Sequence, residues 1–162
     1  MSQKKKKDSK DQFFEDLIKG IKGLNDREFT MEGVTFQIKK LSPFDGFHLF
    51  EEIRHALFSN ADSAQADTES ALVFYKAILT LEPAVIEGFR AKLFKNVAFR
   101  GNGVDTGWMD LEHAEEMAFQ DMEPIHVYEL FVRCLAVNFT GSFHAIASKF
   151  PGVKRVLGQL KR

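Results

Sequence analysis

The sequence is short of the residues that staple a chain, kink it or carry it through a membrane. Cys134 is its only cysteine, which excludes an intramolecular disulfide. That cysteine falls inside an apolar helical run, where an inert buried thiol is expected. There are 4 prolines, Pro43, Pro83, Pro124 and Pro151, and each reads as the opening of a helical segment rather than as a break inside one. No window approaches the roughly eighteen consecutive apolar residues of a membrane span. No apolar stretch follows the lysine-rich start before Phe13, so no secretory leader is expected. Net charge is also lacking: 22 Lys and Arg against 23 Asp and Glu leave -1, which removes the electrostatic ground for DNA, membrane or polyanion binding by the body of the protein.

Motifs that carry chemistry are absent too. His48, His55, His113, His126 and His144 are scattered, with no His-Glu-x-x-His and no paired cysteines. His48 and His55 would stand two helical turns apart, outside normal ligand spacing, and His113 with Glu116 reads as a solvated pair on one helix face. There is no Gly-x-Ser-x-Gly elbow, and nothing near Cys134 in sequence would activate it. The carboxylates lie on polar helix faces, where tuning by burial is not expected. These absences predict a protein that is not an enzyme and has no catalytic, metal or cofactor site.

What is present is phenylalanine, 17 of them against 2 Tyr and 1 Trp. Phe brings apolar area without a polar handle, so such a count means an aromatic core or an apolar surface awaiting a partner, the core carrying more weight. At 162 residues the chain fits one domain that buries roughly 70% of its unfolded surface.

Along the chain, Met1–Gln12 is polar, contains Lys4 to Lys7 in a row, and reads as a disordered basic tail. Residues 13–162 then read as a single helical domain. Phe13, Phe14, Leu17, Ile18 and Ile21 recur at helical spacing, with a stripe too narrow for a core helix. Over 28–40 the period changes to alternation around Glu32-Gly33, predicting a β-hairpin, the one strand signal in the chain. Ser42-Pro43-Phe44-Asp45 starts a helix whose buried face is predicted to be Phe47, Phe50, Ile53 and Leu57. Ser59–Thr68 reads as a surface loop, and Ser70–Leu81 as a central helix. Another helix begins at Glu82-Pro83, with Ile86, Phe89, Leu93 and Val97 facing the core. RGNGVDTG, residues 100–107, reads as a connector. No strand is expected before it, and no Lys-Ser or Lys-Thr follows, so a phosphate loop is excluded. Asp110 is placed to cap a helix over Leu111–Phe119.

The longest apolar run follows Glu123-Pro124. It is predicted to be a helix ending at Asn138, with a break at Thr140-Gly141-Ser142 and a short restart carrying Phe143 and Phe150. Pro151 opens a last amphipathic piece with Val153, Val156, Leu157 and Leu160. The sum is a mainly α (α+β) domain of about six helices with one small N-terminal β-hairpin.

Three blocks now stand in order: VTFQIKKLSPFDGFHLFEEI, VFYKAILTLEPAVIEGFRAKLFKNVAF and YELFVRCLAVNFTGSF. Their arrangement resembles the tail assembly chaperones of long-tailed bacteriophages, at Leu41 to Phe44, Tyr128 to Leu130, Asn138-Phe139 and Phe143, over about Val34 to Phe150. The resemblance implies a protein of the host bacterial cytoplasm, absent from the finished virion, that binds the tape-measure protein, keeps it soluble and helps recruit the tail-tube protein, with no cofactor and no membrane. Candidate partner-binding residues are Phe13, Phe14, Phe139 and Phe143, and self-association stays open. The competing readings are a structural tail-completion or baseplate-associated virion protein and, behind it, a small nucleic-acid-binding regulator using Lys4 to Lys7.

Overall fold

A computed structural model describes residues 9–59, 71–102 and 107–149, with side chains over 12–57, 75–102 and 107–142. Its elements are α1 (Ser9–Gly20), β1 (Glu28–Met31), β2 (Val34–Ile38), α2 (Pro43–Ser59), α3 (Ala71–Leu79), α4 (Pro83–Phe94), β3 (Val97–Arg100), β4 (Met109–Asp110), α5 (Glu115–Ala118) and α6 (Pro124–Lys149). The class is mainly helical α+β, as expected. The expected loop beyond Ser59, the Lys4 to Lys7 run and the segment from Pro151 onward lie outside the described residues.

The expected hairpin is there. Met31 pairs with Val34 and Phe29 with Phe36, around a turn in which Glu32 (φ 49°) and Gly33 (φ 80°) both take left-handed geometry, the two-residue turn that matches strand twist. It is, however, half of a sheet of order β1-β2-β3-β4, antiparallel throughout. The helix expected to run through Val97 stops at Phe94, and Val97, Ala98 and Phe99 instead pair with Ile38, Gln37 and Phe36. Val97, Ala98 and Phe99 are all buried, so the strand shows no alternation up to Arg100, and its β2 partners lie far back in the sequence. A strand therefore does precede RGNGVDTG. That loop leads on to β4 rather than into a helix.

Phe36 joins sheet to helices, with ring centroids 5.6 Å from Phe29, 6.5 Å from Phe99 and 5.6 Å from Phe119. The segment after Asp110 is a 3-10 turn, Leu111–His113, broken at Ala114 from the short α5, and Asp110 makes no side-chain cap bond. Nothing in the local sequence accounts for that break.

Two helices sit differently from expectation. α1 begins at Ser9, inside the stretch read as tail, and its Phe14 and Ile18 belong to the core, docked against α3 and α6. On α2 the buried face is Leu49 and Ile53, flanked by Phe50 and Leu57, while Phe47 is 60% exposed. At about 100° per residue Phe47 lies roughly 120° round the helix from Ile53, too far to share its face.

The largest correction concerns α6, which does not break at Asn138–Ser142 but continues to Lys149. The polar groups that would end a helix locally are engaged elsewhere. Asn138 donates to the Cys134 carbonyl (2.9 Å) and accepts the Leu41 N–H (2.9 Å), and the Thr140 hydroxyl bonds the Tyr75 hydroxyl. Gly141 is carried inside the helix at the usual penalty of an unrestrained residue. A Cβ there meets nothing within 4 Å. Gly141→Ala is therefore expected to stabilise the fold by about 0.5–1 kcal/mol in urea unfolding. A loss of stability would mean that the helix breaks there after all.

Candidate functional site

Several charged groups of the described residues are bound to one another. Arg90 donates from Nε to Glu87 (2.8 Å) and from Nη1 to Glu115 (2.9 Å), which raises its own pKa and holds the Glu87 carboxyl below its ordinary range. Glu15 bridges Lys19 (2.8 Å) and Lys76 (3.6 Å) between α1 and α3. Among the described residues no three His, Cys, Asp or Glu side chains are grouped so as to hold a metal ion. Cys134 is wholly buried, and burial pushes its thiol pKa up, away from the thiolate a nucleophile needs. Native protein is expected to leave Cys134 unmodified by a thiol reagent at pH 8, and to react with one equivalent once unfolded. Fast native labelling would show an accessible thiol.

What the arrangement offers is apolar surface of defined shape. α1, the end of α3, the first turns of α4 and the first turns of α6 enclose a cleft of about 500 Å³. Buried Phe14, Leu79, Leu81 and Phe131 form its floor. Half-buried Ile86, Met122 and Val127 and exposed Tyr128 form its walls, and the two helix-opening prolines, Pro83 and Pro124, stand at its lips. Each proline follows a glutamate, so two Glu-Pro helix starts from distant parts of the chain are brought to one mouth. The Phe14 ring lies 5.8 Å from Tyr128 and 5.5 Å from Phe13.

The four aromatics expected at a partner surface therefore separate. Phe13 is 45% exposed beside the cleft, and Phe14 is 4% exposed as part of its floor. Phe139 is 2% exposed, its ring 5.9 Å from Phe50, so it is a core residue and presents no open surface. The Phe143 side chain lies outside the described residues. The cleft residues beyond Phe14 escaped sequence reading. Their one signal, the repeated Glu-Pro, reads as two unrelated helix starts until the fold brings them together.

A second apolar patch, also unforeseen, is formed at the start of α2 by Phe44, 80% exposed, and Phe47. Such rings add little to the folded state. Replacing both by Ser is expected to change unfolding free energy by within about 0.5 kcal/mol, whereas Phe139→Ala is expected to remove about 3–5 kcal/mol. A large loss from the double variant would show that the patch is covered in solution.

Residues 32–151 match the family model described as phage tail assembly chaperone protein, TAC. The match takes in β2, β3, β4 and all of α2 to α6, and with them every cleft residue except Phe14 on α1. No curated protein and no solved structure matches the chain.

Proposed function

The chain belongs to the phage tail assembly chaperone family, and on that premise we propose that it binds the tape-measure protein during tail assembly, keeps it soluble and helps recruit tail-tube subunits. Its family is generally non-catalytic, and its place of action is the infected host cell. Among the described residues no helix is long and apolar enough to cross a membrane.

The observation that carries the client-binding reading is the open apolar cleft. A long, mostly helical client awaiting assembly exposes apolar stripes, and laying such a stripe into a groove covers it without cofactor or covalent chemistry. Each fully covered Leu- or Val-sized side chain contributes about 1.5–3 kcal/mol, so a few suffice for reversible holding. Phe13, at the edge of the cleft on α1, is the aromatic of the expected set best placed to extend that contact.

Co-expression with the tape-measure protein of the same genome tests the reading. The long protein is expected to move from the insoluble to the soluble fraction and to co-purify with this chain. If the two never associate, and this chain is instead found in purified particles, the chaperone reading gives way to a structural virion role.

A further inference from the structure

The cleft is apolar inside and acidic round its mouth. Glu82 and Glu123 precede its two lip prolines, Glu87 lines it, and Asp121 adjoins the wall residue Met122. All four are exposed. Among the described residues the one cation of the lining is Arg90, held by Glu87 and Glu115. The α1 side is balanced, with Glu15 and Asp16 against Lys19 and Lys76. The α4 and α6 N-termini each contribute about half a positive charge, which offsets only part of the excess. Among the described residues the mouth carries a negative excess.

Backbone chemistry sets the shape of what can enter. The cleft is bounded by helices and the turns leading into them, and among the described residues no strand lines it. An extended segment would find no ladder partners there, and its buried N–H and C=O groups would go unpaired. A helix satisfies its own.

We infer that the cleft receives an amphipathic α-helix of the client whose apolar stripe, at i, i+3 or i+4, and i+7, fills the floor and whose flanking positions carry Lys or Arg that meet the acidic mouth. This rests on the client-binding reading above and adds the chemistry of the segment recognised. Apolar contact supplies most of the affinity. The mouth charges select sign and orientation, and the selection weakens as salt screens them.

The test uses the full chain and two dye-labelled synthetic helices about five turns long with the same leucine stripe, one carrying lysine and the other glutamate on its polar face. By fluorescence anisotropy the lysine helix is expected to bind roughly tenfold tighter at low salt, the gap closing at about 0.5 M salt. Glu82→Lys with Glu123→Lys, both exposed positions, is expected to remove or reverse the preference while binding persists. Val127→Asp is expected to abolish binding of both helices, and Tyr128→Glu, at an exposed position, serves if the first variant does not fold by circular dichroism. Equal affinity for the two helices, or a preference unmoved by the glutamate reversals, overturns the inference. The same variants in the co-expression assay separate the two claims. A tape measure solubilised equally by wild type and the cleft variants overturns the cleft and leaves the chaperone reading standing. A tape measure that never associates, while the lysine helix binds as expected, overturns the client assignment and leaves the cleft's chemistry standing.

Discussion

Everything in this fold accommodates a helix with no free side along its middle. Leu130 to Ala136 on α6 are all buried, seven residues in a row, so this stretch needs neighbours all round its circumference. α1, α3 and α4 pack against it directly. A helix enclosed in this way cannot leave a charge in solvent, and yet Arg133 sits in the run. Its guanidinium donates to the Gly23 carbonyl (2.9 Å) and the Lys22 carbonyl (3.0 Å), and lies 4.1 Å from the centre of the Phe29 ring. One buried cation thus ties the turn after α1 and the first strand to the central helix. Removing the guanidinium would leave two carbonyls short of a donor, and removing the carbonyls would leave a buried charge uncompensated.

Asn138 does for the other end of the core what Arg133 does for this one. By accepting the Leu41 N–H it fixes the chain between β2 and α2 against α6, while its amide N–H bonds back to the Cys134 carbonyl one turn earlier. Both residues are polar groups spent on long-range main-chain contacts rather than on chemistry.

The same constraint opens the cleft. α6 is wrapped from Leu130 to Ala136, but its first turns emerge from the packing, where Val127 and Tyr128 stay partly uncovered opposite the start of α4. The proline-opened ends of α4 and α6 set the width of the mouth, and the glutamates before them set its sign. The core and part of the candidate docking surface are therefore successive segments of one helix.

By itself the sequence determined the class, the hairpin with its Glu32-Gly33 turn, the proline-opened helix starts and the family resemblance. These rest on local signals: period, turn chemistry and capping residues act between neighbours and need no partner. Tertiary structure decided the rest. β3 became a strand because β2 lay ready to pair with it, although both of its faces are apolar. Asn138 and Thr140 stayed helical with their polar groups taken up by Leu41 and Tyr75, and Gly141 was carried along inside the same helix. Phe139 went into the core against Phe50, while Phe44 and Phe47, equally apolar, were left outside by the rotation of α2. The cleft assembles side chains from three separate stretches of the chain, and no spacing in a linear chain records which of them will meet, because burial is settled by what packs opposite a residue and not by the residue alone.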